Sequence, residues 1–152
     1  MRLILICTFL TILSINAKTQ TLNLRYDKTL ADSLGADIYG MKSYVLVILK
    51  TGSNKTDSKA MIDSLFKEHI ANINRLAALG KLVVAGPFKK NDKAYRGIFI
   101  LNVKSIEEAN VLLATDPAFR EKLLDAELYQ WYGSAALGEY LKTHEKIEKN
   151  RL

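Results

Sequence analysis

One cysteine, Cys7, is all the thiol this chain has, and it stands inside the opening run MRLILICTFLTILSINA. That run joins Arg2 to apolar stretches from Leu3 to Ile6 and from Phe9 to Ile15 and closes on the small residue Ala17, the pattern of a secretory signal peptide. It falls short of the roughly 20 apolar residues a spanning helix needs, so the expectation is removal of residues 1–17. The mature chain would begin between Lys18 and Thr21, secreted or periplasmic, with no membrane attachment after cleavage. It would hold no cysteine, which excludes disulfides, a thiol nucleophile and a thiolate metal site, and leaves packing or oligomerisation to supply stability in an oxidising compartment.

Histidine is nearly as scarce. The two present, His69 and His144, have no metal-ligand spacing, and Glu68 points off the helix face that carries His69, so no metal is expected. The eight glycines are scattered and TGSNKTD holds one of them, which leaves no loop to cradle a phosphate and no sign of a cofactor. No ordering of serine, histidine and aspartate supports an acyl-transfer triad. Charge of one sign is not concentrated either. The formal +6 loses one unit with Arg2, and Lys81, Lys89, Lys90 and Lys93 lie near turns, a solvated surface and not a patch that tracks nucleic acid. With 49% hydrophobic and 25% charged residues the composition fits a single globular domain.

The most informative stretch is SKAMIDSLFKEHIANINRLAALGKLVVAGPF, residues 58–88. Ile62, Phe66, His69, Ile73 and Leu76 recur at spacings of three and four, widened by Leu65 and Ala77, which is one face of an amphipathic helix. Thr56 or Asp57 is the expected N-cap, and Gly80 the terminating residue that can take positive φ. LVVAG then reads as a short buried strand. His69 sits where an aliphatic residue is expected.

Residues 18–42 read as an arm, with a short helix from Tyr26 to Leu34 ended by Gly35 and an apolar edge of Leu30 and Leu34. SYVLVILK, residues 43–50, is apolar without alternation, so it is a strand covered on both faces. AYRGIFILNV, residues 94–103, is a further strand, with Ile98 and Ile100 pointing one way and Phe99 and Leu101 the other. Ser105 with Glu108 forms a capping box for a helix whose stripe is Ile106, Ala109, Leu112 and Leu113. Leu123 to Trp131 is a fourth strand, with Leu124, Ala126 and Leu128 alternating against Asp125, Glu127 and Tyr129. The tail, residues 133–152, reads as a C-terminal helix with Leu137, Tyr140 and Leu141 on one edge and a solvated His144.

Residues 43–132 therefore run strand, helix, strand, strand, helix, strand, the ferredoxin-like α+β unit with both helices on one side of an antiparallel sheet. The apolar second face is too large a patch for a comfortable monomer, so a homodimer paired through that face is expected, with arm and tail as outer additions. His69 is a candidate general acid or base, set against the plain reading of a hydrogen-bonded core histidine. Asp116 is a candidate for orienting it, set against an N-cap for the turn that begins at Pro117. Tyr95, Tyr129 and Trp131 are aromatic residues able to line a ligand cavity or fill core.

His69, Gly80, Gly86-Pro87 and Asp116-Pro117 after the helix start Ser105-Ile106-Glu107-Glu108-Ala109 together resemble the YCII-related family over residues 43–132. The resemblance implies a dimeric α+β barrel with His69 and Asp116 as a catalytic pair. It places substrate-pocket candidates at Gly86, Pro87 and Phe119, with Trp131 beside them. It implies lyase, dehydrochlorinase or isomerase chemistry on a small organic molecule, the alternative being a non-catalytic module for ligand binding or dimerisation. This chain departs from the family in carrying Ile70 after the histidine, and Ala118 with Phe119 after Asp-Pro, which bears on the pocket wall.

Overall fold

The structure is a computed structural model that describes residues 22–149; the expected signal peptide lies outside the described residues. Helix α1 spans Lys28–Leu34, strand β1 Met41–Thr51, helix α2 Lys59–Ala78, strand β2 Leu82–Pro87 and strand β3 Tyr95–Leu101. Helices α3 (Ile106–Leu113) and α4 (Pro117–Arg120), strand β4 (Leu124–Ser134), a 3-10 helix (Ala135–Tyr140) and α5 (Leu141–Ile147) complete the order. The four strands form one antiparallel sheet in the order β2-β3-β1-β4. This is the ferredoxin-like α+β architecture.

The continuous apolarity of β1 has the cause inferred from it. Val45, Val47 and Leu49 join Phe99 and Leu101 of β3 in a core closed by Leu76 of α2 and by Ala109 and Leu113 of α3. On the opposite side Tyr44, Val83 and Ile100 are buried, with Leu46, Val84, Trp131 and Leu137 packed against them. Leu137 belongs to the 3-10 helix, and Tyr140 donates its hydroxyl to the Val83 carbonyl at 2.5 Å. The tail is therefore no outer addition: its first turn covers one end of the second sheet face. Leu46 and Ile48 of β1 and Ile98 of β3 stay half-buried there.

Local signals fix the helix ends. Ser58, and neither Thr56 nor Asp57, caps α2, its Oγ accepting from the Met61 N–H at 3.4 Å; Thr56 instead accepts from Ser58. Gly80, at φ 65, lets its own N–H reach the Ala77 carbonyl and that of Lys81 reach Leu76, both at 2.9 Å, which is a Schellman stop leading straight into β2. Ser105 accepts from Glu108 at 3.2 Å as the capping pattern requires. Helix α1 starts at Lys28 under an Asp27 cap, later than Tyr26, and of its apolar edge Leu34 is half-buried while Leu30 remains 51% exposed.

One close approach sets the position of α4. Gly52 lies against the Lys122 carbonyl, where a Cβ would penetrate the oxygen, and its N–H donates to Leu123 at 2.9 Å. The end of β1 thereby holds the turn between α4 and β4. Asp116 stands at the other end of α4, as its N-cap, facing α2.

Candidate active site

Helix α2 buries Leu65, His69, Asn72 and Leu76, successive positions three or four apart. The line is an aliphatic seam interrupted twice by polar side chains. His69 is 6% exposed and lies between two phenylalanine rings: Phe66 meets it edge-on at 6.0 Å, and Phe99 of β3 stacks on it at 5.9 Å with 24° between planes. A polar ring so enclosed needs a hydrogen-bond partner, because an unpaired buried donor costs about 1–3 kcal/mol. Asp116 provides it, with Oδ2 2.6 Å from His69 Nδ1.

Asp116 reaches that place through its second role. Its backbone is extended, Pro117 occupies the first turn of α4, and Oδ1 accepts the Ala118 N–H at 2.9 Å. The N-cap bond leaves Oδ2 for His69. The two readings of Asp116, cap and histidine partner, hold together in one carboxylate that is 1% exposed.

With Oδ2 of an ionised Asp116 as acceptor, His69 Nδ1 is the donor, and in the neutral ring this leaves Nε2 as the acceptor. An imidazole held in this tautomer by a carboxylate is able to accept a proton at Nε2 and return it. Among the described residues no group of three or more His, Cys, Asp or Glu is placed to hold a metal ion, and no helix is long and apolar enough to cross a membrane. His144 lies on α5 beside Glu148, 3.9 Å away.

The pocket candidates fall in different places. Phe119 lines a cleft of about 290 Å³ between α3, α4 and β4, together with Leu113, Ala126 and Leu128. Pro87 lines a second, of about 370 Å³, at the β2–β3 loop with Phe88, Tyr95 and Arg96. Gly86 pairs with Ile98 inside the sheet. Trp131 packs on Tyr44, ring centres 5.6 Å apart, with its indole over Gly133 on the second sheet face. Tyr129, 49% exposed on that same face, bonds Glu127, which in turn takes Lys50 at 3.0 Å.

Sequence reasoning missed Asn72, Arg75 and Thr115. Asn72 Nδ2 lies 3.4 Å from Asp116 Oδ2, while its Oδ1 accepts from Arg75 Nη2 at 2.6 Å and Nε at 3.2 Å. Arg75 Nη2 also donates to Thr115 Oγ1 at 2.7 Å. The available signal was spacing: Asn72 follows His69 by three residues, on the stripe that should be apolar.

An α+β ferredoxin-like domain with a buried histidine–aspartate pair between helix and sheet is thus the class that fold and site define. The chain belongs to the YCII-related family, whose domain model matches residues 44–131. No curated protein matches it. Among solved structures it is similar to 5-chloro-2-hydroxyhydroquinone dehydrochlorinase from Burkholderia phenoliruptrix AC1100, in complex with 2,5-dihydroxybenzoquinone. The identity is 22%, covering 57% of this chain and 92% of that one, with a TM-score of 0.42.

Proposed function

We propose that this protein is an acid/base enzyme acting on a small organic molecule, with His69 moving the proton and Asp116 orienting it. The observation that carries the reading is the 2.6 Å Nδ1–Oδ2 bond in a site closed by Phe66 and Phe99. Nε2 takes a proton from a C–H or O–H of the substrate, and the imidazolium so formed is stabilised by the adjacent carboxylate. The same nitrogen then gives the proton to another carbon, an isomerisation, or to a departing oxygen group, a lyase step; in a dehydrochlorination chloride leaves as the anion with the C–Cl electron pair and the proton passes from Nε2 to water. Membership of the YCII-related family supports a small-molecule site in this domain.

A second reading has its own support. His69 and Asp116 join α2 to α4, and burial this deep suits a staple in a non-catalytic module for ligand binding or dimerisation. The two separate in one experiment. Wild type, His69→Gln and Asp116→Asn are incubated in D2O with a panel of cyclic ketones and enols, and proton exchange is followed by NMR. The enzyme reading expects exchange in wild type and a loss of about 10²–10⁴-fold in both folded variants. Equal rates in all three would leave the staple.

We also propose that two copies pair through the second sheet face, where Leu46, Ile48 and Ile98 remain half-buried beyond the cover of the 3-10 helix. Export follows from the composition of residues 1–17 and is part of the same proposal.

A further inference from the structure

We infer that Asn72 is a positioning residue for the His69–Asp116 pair and that Arg75 sets its orientation; the inference rests on the acid/base reading of that pair. An asparagine amide carries an acceptor at one end and donors at the other, and here the two ends face opposite partners. Oδ1 receives both Nη2 and Nε of Arg75, at 2.6 and 3.2 Å, with the Thr115 hydroxyl a third donor in reach at 3.1 Å. Turning the amide over would press its NH2 against the guanidinium and its carbonyl against the Asp116 carboxylate. The arginine therefore fixes Nδ2 toward Asp116 Oδ2, 3.4 Å away.

Three donors then converge on Asp116: the Ala118 N–H on Oδ1, and His69 Nδ1–H and Asn72 Nδ2–H on Oδ2. A carboxylate met only by donors acts only as an acceptor, so the shared proton stays on His69 Nδ1 and Nε2 keeps its lone pair. Asn72 also keeps a cation one amide away from the carboxylate. A guanidinium in direct contact would take Asp116 in a bidentate grip and compete with His69 for Oδ2. Thr115 braces the arginine, accepting Nη2 at 2.7 Å, and its hydroxyl proton has two acceptors in reach, the Leu112 carbonyl at 2.6 Å and Asn72 Oδ1 at 3.1 Å. Asn72 is 8% exposed, whereas Arg75 is open to solvent, so the outer member can be changed with little disturbance to the core.

The test reads the ring nitrogens of His69 by long-range 1H–15N NMR and needs no substrate. Asn72→Leu and Arg75→Met are expected to change the ratio of Nδ1–H to Nε2–H tautomer by about two- to tenfold, the effect of losing one ordinary hydrogen bond. Arg75→Gln, which retains a donor for Asn72 Oδ1, should restore the wild-type ratio. Wild-type ring signals in folded Asn72→Leu and Arg75→Met would overturn the proposal. So would an Arg75→Met protein that fails to fold, since the network would then be structural. Asp116→Asn separates this from failure of the pair itself. If that variant leaves the ring signals unchanged, the pairing is wrong; if it changes them and Arg75→Met does not, only the role of Asn72 is wrong.

Discussion

Replacing Asp116 by alanine and by asparagine divides its two duties, and the structure gives each a magnitude. Alanine removes the N-cap acceptor of α4, at about 1 kcal/mol, and strands the buried Nδ1–H of His69, at about 1–3 kcal/mol. The combined loss should be about 3 kcal/mol. Asparagine keeps an Oδ1 for the Ala118 N–H, and its amide can donate to His69 once the ring moves its proton to Nε2, so its cost should be about 1 kcal/mol. Urea denaturation at one fixed protomer concentration reads both, the concentration being held because pairing would add its own term. At a slope of about 2 kcal/mol per molar, alanine should lower the midpoint by about 1.5 M and asparagine by about 0.5 M, with slopes unchanged. Equal costs for the two variants, or a cost below about 0.5 kcal/mol for alanine, would show that Asp116 does not hold both bonds.

The arm is fastened by Asp37, whose carboxyl is held below its ordinary value of 3.8 first by the Tyr132 hydroxyl and then by the Met41 N–H. Since the folded value is the lower one, the attachment is complete above pH 3.8 and is lost as pH falls through the folded value. The Tyr39 and Met41 amides should titrate at that lower pH, and in Tyr132→Phe the midpoint should rise toward 3.8; an unmoved midpoint contradicts the bond. Sedimentation at micromolar concentration should give a dimer for the mature protein and a folded monomer for Ile48→Asp, while a wild-type monomer would remove the proposed interface. N-terminal sequencing of protein from its native host should begin between Lys18 and Thr21; Met1 on the mature chain would refute cleavage.

Strands were legible wherever burial on both faces forced continuous apolarity, as from Tyr44 to Leu49, and helix ends wherever a residue has special backbone or capping chemistry, as at Gly80 and Ser105. Ser58 does not stand out as the cap because Thr56, Asp57 and Ser58 are all good caps in one short run, and only the geometry of the turn chooses among them. The packing of the tail is hidden in the sequence for a related reason. A six-residue 3-10 segment is too short to reveal its period, and an apolar Leu137 does not announce which surface it covers. His69 and Asp116 could each be picked out by chemistry, but their contact spans 47 positions and depends on how α4 is seated by Gly52. Asn72 was hidden because a neutral polar residue on a helix stripe looks like the stripe's edge until its neighbours are in place.

The most direct test of the account is the location of the His69 ring proton in the wild-type protein, read by long-range 1H–15N NMR at neutral pH with His144 as the exposed reference. The proton should lie on Nδ1, strongly deshielded by its 2.6 Å bond to Asp116, with a signal that disappears in Asp116→Asn. A proton on Nε2, with ring signals that Asp116→Asn leaves unchanged, would mean that no lone pair is held ready for proton transfer and that the paired acid/base site does not exist.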